Sequence, residues 1–180
     1  MDYASTHRDI IEGCKKGKRQ AQFELYRLYS KAMYNVCLRM VKNELDAEDL
    51  LQNSFVDIFS NLESFRYQSS VGAWIKRIVV NNCINFLKRK RLLFEELDEK
   101  VTNIKEEVHI PADGLNVEIV QRAVHRLPDG YRVVFSLYMF EGYDHKEIAS
   151  ILNITEATSK SQFSRAKKKL KELLESKSYA

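Results

Sequence analysis

The stretch Lys146-Glu147-Ile148-Ala149-Ser150-Ile151-Leu152-Asn153-Ile154-Thr155-Glu156-Ala157-Thr158-Ser159-Lys160-Ser161-Gln162-Phe163-Ser164-Arg165-Ala166-Lys167 reads as a helix, a tight turn and a second, basic helix. Ile148, Ala149 and Leu152 supply the inner face of the first helix, and the small Ala149 lets the second helix approach closely. Ile154 is expected to plug the corner. Asn153 takes the turn position where glycine is usual, which is tolerable because asparagine also visits left-handed backbone geometry. The second helix is expected to bury Phe163, Ala166, Leu170 and Leu173. Its other face is then left to Ser159, Lys160, Gln162, Arg165 and Lys169. Short polar residues at a helix start, here Thr158, Ser159 and Ser161, with cations behind them, suit entry into a DNA major groove. A solvated amphipathic helix pair is the bland alternative, and the turn spacing weighs against it.

Charge divides the chain around this motif. Lys and Arg number 16 against 10 acidic residues in 1–91, 2 against 7 in 92–116, and 11 against 8 in 117–180. The acidic middle, with Glu95-Glu96, Asp98-Glu99 and Glu106-Glu107 beside Pro111 and Gly114, has little amphipathic period and reads as a linker. On both sides apolar residues recur at three- and four-residue spacing with no sustained two-residue alternation: Ala47, Leu50, Leu51, Ile58 and Leu62 share one arc, and Val117, Val120, Val124 and Leu127 another. The expected fold is all-α: two small helical domains, 1–91 and 117–180, joined by an acidic linker over 92–116, the C-terminal one a helix-turn-helix.

Residues 71–91 are the more unusual segment. On a helix, Ile75, Val79, Cys83 and Phe86 form one face while Arg77, Asn81, Asn85 and Lys88 line the other, and the segment ends Lys88-Arg89-Lys90-Arg91. Asparagine weakens a helix slightly, so several in a row point to hydrogen bonding outside it. Upstream, Phe65-Arg66-Tyr67-Gln68-Ser69-Ser70 mixes aromatic, cationic and hydroxyl groups, a combination that stacks and cradles unpaired bases. The competing reading makes Phe65 and Trp74 core residues and the charges solvated. The helix before, 46–62, carries Asp46, Asp49, Asn53, Asp57 and Ser60 opposite its apolar arc. Phosphates would be repelled there, so that face reads as a protein-docking surface.

Composition narrows the function class. With 44% hydrophobic and 30% charged residues the chain is in the globular range, and its longest apolar runs are far shorter than a membrane-spanning helix. The start, Met1-Asp2-Tyr3-Ala4-Ser5, has neither the basic region nor the apolar core of a secretory signal, so a cytoplasmic protein is expected. Cys14, Cys37 and Cys83 form no paired spacing, and His7, His109, His125 and His145 are equally scattered. Buried reduced thiols, no metal and no cofactor are expected. Carboxylates clustered on one continuous helix do not make a metal-dependent nuclease, and no Ser/His/Asp or Cys/His grouping offers another enzyme.

In this order the motifs resemble those of the extracytoplasmic-function sigma factors, over nearly the whole chain. Gly17 to Tyr29 resembles the family's opening helices. Asp46-Ala47-Glu48-Asp49-Leu50-Leu51-Gln52 is similar to its polymerase-binding segment, and Trp74 to Arg91 to its promoter-melting helix. Leu127-Pro128, Arg132, Val134-Phe135, Glu141-Gly142, Glu147-Ile148-Ala149, Thr158-Ser159-Lys160-Ser161 and Ser164-Arg165-Ala166-Lys167 are similar to its fourth region. The resemblance implies a non-catalytic factor that binds core RNA polymerase through Asp49, Gln52 and Asn53. It implies that Phe65, Arg66, Tyr67, Trp74, Lys76, Arg77, Asn81, Asn85, Lys88 and Arg89 melt and capture the minus-ten strand of promoter DNA. It assigns the duplex minus-thirty-five element to Thr158, Ser159, Lys160, Ser161, Gln162, Arg165 and Lys169, and it implies an inhibitory anti-sigma partner, usually membrane-anchored, and no small-molecule substrate. The linker, by the same analogy, threads the RNA exit path. Asn53 stands where an acidic residue is common, and Ser159 and Gln162 where Val and Arg are frequent. The alternative is an autonomous helix-turn-helix transcription regulator, which would bind duplex DNA tightly by itself.

Overall fold

The computed structural model describes residues 3–90 and 117–175, and the expected acidic linker at 92–116 lies outside them. Among the described residues every regular element is helical, as the periodicity predicts. The first compact unit holds α1 (Tyr3–Lys15), α2 (Arg19–Val41), α3 (Glu44–Ser60), a 3-10 turn (Leu62–Ser64) and most of α4 (Val71–Arg89). Compactness divides the chain after Asn85, inside α4, where the sequence reading ends its first domain at 91.

Local chemistry sets the turns of this unit. α2 ends at Lys42, whose backbone is left-handed (φ 66°) and whose N–H returns 3.0 Å to the Leu38 carbonyl. Asn43 then caps α3, its side chain accepting the Asp46 N–H at 2.9 Å, while Glu44 and Asp46 place negative charge on the positive end of the helix. α1 meets α2 so closely that a Cβ added at Gly13 would lie 2.8 Å from Ala21 Cβ. Ser70 Oγ accepts the Ala73 N–H at 3.2 Å and starts α4. That helix buries Val71, Ile75, Val79, Val80, Cys83, Ile84 and Leu87. Its Asn82 amide donates to Ser54 Oγ (3.1 Å) and to Asp57 Oδ2 (2.8 Å), tying α4 to α3.

The second unit's described helices are α5 (Val117–His125), α6 (Asp129–Met139), α7 (His145–Leu152) and α8 (Glu156–Glu175). Its core gathers Ala123, Val124, Leu127, Phe135, Ala166 and Leu170, with Val120, Tyr131, Phe163, Leu173 and Leu174 packed against it. Arg132 is buried there, 1% exposed, and its guanidinium donates to the Leu127 carbonyl at 3.2 Å and to the Asp129 carboxylate. The helix-turn-helix is α7–α8. A capping box opens it: Asp144 accepts the Lys146 and Glu147 N–H groups and Glu147 accepts the Asp144 N–H, each at 2.8 Å. Asn153 closes α7 in left-handed geometry (φ 59°, ψ 49°), as expected from its place in the turn. Thr155 Oγ1 accepts the Thr158 N–H at 3.0 Å and starts α8.

Arg132→Ala is expected to destabilise the second unit by about 3 kcal/mol, because it opens a cavity and takes a buried donor from a carbonyl and a carboxylate. Urea denaturation of the full chain checks this; a loss below about 1 kcal/mol would mean that these bonds do not sustain the buried cation.

Candidate nucleic-acid and docking faces

α3 has used one face for the core, with Ala47, Leu50, Leu51, Ser54, Phe55 and Ile58 buried. Asp49, Gln52 and Asn53 are left exposed on the opposite side, where the sequence reading places them. Asp57 is drawn away to Asn82 of α4. Two apolar residues that the sequence reading missed complete the strip: Leu45 is 72% exposed and Val56 64%. Leu45, Asp49, Gln52 and Val56 recur at four-, three- and four-residue steps, so they share one side of the helix. The signal was available in the wheel, since both apolar residues fall off the buried arc. α3 contains neither Lys nor Arg.

The loop between α3 and α4 corrects one expectation. Phe65 is only 4% exposed; its ring packs 5.2 Å from Trp74 and 4.9 Å from Tyr67, so it belongs to the core and offers no face to a base. Trp74 is half-buried beside it. Arg66 and Tyr67 remain exposed, Tyr67 by 40%. Tyr67 adopts a left-handed backbone (φ 58°), and its hydroxyl donates to Glu12 Oε1 of α1 at 2.6 Å. That bond and the nearby lysines lower the Glu12 pKa, while burial and the same bond push the Tyr67 phenol up to about 12. Along α4, Arg77, Asn81 and Asn85 stand exposed at four-residue spacing, spanning about 12 Å of helix. Lys76 and Lys88 are half-buried and Arg89 is exposed.

The basic helix α8 corrects a second expectation. Ser159 and Gln162 are buried with Ala166 and Leu170, not turned to solvent. Ser159 precedes Phe163 by four residues and Ala166 by seven, so the apolar arc runs back through it to the helix start. Its hydroxyl lies 2.9 Å from His145 Nδ1, and the His145 ring stacks on Tyr138 at 4.6 Å. Burial, with Lys160 close by, holds the His145 pKa below the usual imidazole value. Outward, Ala157, Lys160, Lys168 and Lys169 are exposed, and Thr158, Ser161, Ser164 and Arg165 are half-buried. Lys160 pairs with Glu156 at 2.7 Å and Lys169 with Glu172 at 3.0 Å. Such surface pairs are worth little, so either cation can exchange its partner for a phosphate. Lys168 and Ala157 escape a sequence reading whose inner arc begins at Phe163, because the buried arc continues back to Ser159.

All three cysteines are free and buried, and burial raises the Cys14 thiol to about 11. Among the described residues no three His, Cys, Asp or Glu side chains gather as a metal site would require. Among them, too, no helix is long and apolar enough to cross a membrane.

Comparison with known proteins accounts for both units. Residues 25–92 match the Sigma-70 region 2 family and residues 118–170 the Sigma-70 region 4 family. The ECF RNA polymerase sigma factor SigM of Bacillus subtilis is 30% identical over 152 residues, covering 83% of this chain and 93% of the relative. The SigM factor of Mycobacterium tuberculosis (strain H37Rv) is 32% identical over 170 residues, covering 92% and 83%. Among solved structures, the sigma factor RpoE in complex with the anti-sigma factor NepR from Bartonella quintana aligns with a TM-score of 0.57 at 25% identity, covering 84% of this chain and 95% of that one. CnrH in complex with the cytosolic domain of CnrY shares the fold, with a TM-score of 0.55 at 20% identity over 94% and 97% of the two chains. Two sigma regions on one chain, in this order, set aside the autonomous regulator, and the chain belongs to the extracytoplasmic-function sigma factors, DNA-binding factors of promoter-specific transcription initiation.

Proposed function

We propose that initiation is divided among three surfaces of this chain. The outer strip of α3, with Asp49, Gln52 and Asn53 between Leu45 and Val56, docks on core RNA polymerase. The Arg66–Tyr67 loop and the Arg77, Asn81 and Asn85 stripe of α4, with Lys76, Lys88 and Arg89 behind it, open and hold the minus-ten strand. α8 enters the major groove of the minus-thirty-five duplex with Lys160, Ser161, Arg165 and Lys168, backed by Thr158 and Lys169. In this reading residues 1–91 act as region 2 and 117–180 as region 4.

The observation that carries it is the segregation of charge. α3 exposes a strip without a single cation, while α4 exposes cations and amides and α8 exposes cations. Duplex and single strands alike reward the latter and penalise the former. Bond-making in RNA synthesis is left to the polymerase; this chain contributes binding energy and strand capture, in the cytoplasm, with no metal or cofactor of its own. An anti-sigma inhibitor belongs to the same proposal, supported by the likeness to the Bartonella factor solved with one.

Run-off transcription with sigma-free core polymerase tests the whole: discrete starts on the DNA upstream of the chain's own gene are expected only when the protein is present, and their absence would sink the reading. Asp49→Ala combined with Gln52→Ala is expected to weaken core binding about tenfold while leaving thermal stability unchanged, read by fluorescence anisotropy. Unaltered affinity would remove α3 from the interface. Replacing Arg165 and Lys168 together by Ala should weaken minus-thirty-five binding by the holoenzyme and make its salt dependence shallower by about two counterions. An unchanged salt slope would take that face of α8 off the phosphates.

A further inference from the structure

We propose that α1 is a positioning helix for the strand-capturing loop: Arg8, Glu12 and Lys15 hold Tyr67 in the pose from which its ring receives an unpaired base. This rests on the minus-ten reading of the loop given above. The matched region 2 begins at residue 25, so α1 precedes the residues that the region 2 family covers.

Three side chains of α1 converge on one tyrosine. Arg8, Glu12 and Lys15 are spaced by four and three residues and so form a single row along the helix. The Arg8 guanidinium carbon lies 5.2 Å from the centre of the Tyr67 ring and the Lys15 ammonium 5.0 Å, both within cation–π range. Between them Glu12 accepts the phenol hydrogen at 2.6 Å. Lys15 also donates to the Phe65 carbonyl at 3.3 Å and pairs with Glu12 at 3.4 Å, so the same row grips the loop backbone two residues upstream.

Tyr67 needs such a grip. With Phe65 buried, Tyr67 is the aromatic residue of this loop left with exposed surface for stacking. Its backbone lies at φ 58°, a region that bulky residues avoid and that surroundings must hold in place. The phenol, held far above neutral pH in its protonated form, remains a donor to Glu12 under all physiological conditions. A free tyrosine on a strained loop would sample many poses, and ordering it on capture would weaken binding to the strand. The α1 row makes that ordering beforehand.

The experiment uses the full chain with core polymerase on its own promoter and reads permanganate reactivity of the minus-ten thymines, core affinity and thermal midpoint. Tyr67→Ala is expected to lower opening by about tenfold or more, through loss of stacking. Glu12→Ala and Tyr67→Phe should each lower it about three- to tenfold, with core affinity and thermal midpoint unchanged, and Glu12→Gln, which keeps an acceptor oxygen, should recover most of the loss. If Tyr67→Ala impairs opening while Glu12→Ala and Tyr67→Phe open normally, the positioning role is overturned and the capture role of the loop stands. If Tyr67→Ala itself opens normally, the capture reading fails and takes this proposal with it. A Glu12→Ala loss that tracks core affinity and thermal midpoint would make α1 a general scaffold and would equally overturn the proposal.

Discussion

The side chain of Asn82 ties α4 to α3 in the rotation that the buried arc of α4 also requires, and the surfaces of the first unit follow from that rotation. Its amide reaches both Ser54 Oγ and the Asp57 carboxylate, one of them fully buried. Two acceptors one helical turn apart on α3 leave little freedom for the donor, so α4 cannot roll without breaking a bond to a buried group. With the roll set, Ile75, Val79 and Cys83 point into the core, and Arg77, Asn81 and Asn85 have only the outside left to them. On α3 the same tie removes Asp57 from the outer strip and leaves the exposed positions to Leu45, Asp49, Gln52, Asn53 and Val56. The faces proposed for docking and for strand binding are thus separated by a hydrogen bond that belongs to neither.

The same contest between core and surface explains what was legible in the sequence. Helical period, breakers and caps act over a few residues, so the all-α class, the turn at Asn153 and the arcs of α3 and α4 could be read directly. What escaped were residues whose chemistry and burial disagree. Ser159 and Gln162 are polar by type, yet they continue the inward arc of α8 back to its first turn, and only α7, distant enough in sequence to be invisible locally, supplies His145 as a neighbour for Ser159. Phe65 is open to both readings in the sequence, stacking ring or core, and the neighbours that decide it appear only in the fold: a ring with Trp74 and Tyr67 in reach gains more from burial than from waiting for a base. Leu45 and Val56 err in the opposite direction: apolar residues left in water, where area matters for a partner and not for the core. The amides of α4 were read as a set seeking partners outside the helix; Asn82, a position that the reading passed over, finds its partners within the protein.

Electrostatics divides along similar lines. Lys160 and Lys169 of α8 are held by weak, exposed pairs with Glu156 and Glu172, arrangements that a phosphate can replace at small cost. Arg132 is the opposite case. Its charge is enclosed, met by a carbonyl and a carboxylate, and unavailable to any nucleic acid. Counting basic residues along the sequence treats these alike, whereas burial separates a structural cation from those that can follow a phosphate backbone.

The inward turn of Ser159 and Gln162 bears on how this factor could be retargeted. The first turn of α8 is fastened to α7 through the serine and imidazole, so those two positions belong to the scaffold and substitution there would disturb the helix before it altered any base preference. Variation aimed at a new upstream element is best confined to Ala157, Lys160, Ser161, Ser164, Arg165 and Lys168, which reach the outside from a helix held in a constant pose. A combinatorial library restricted to these six sites would explore promoter choice on a fixed chassis, leaving the faces of α3 and α4 proposed for docking and strand opening unaltered.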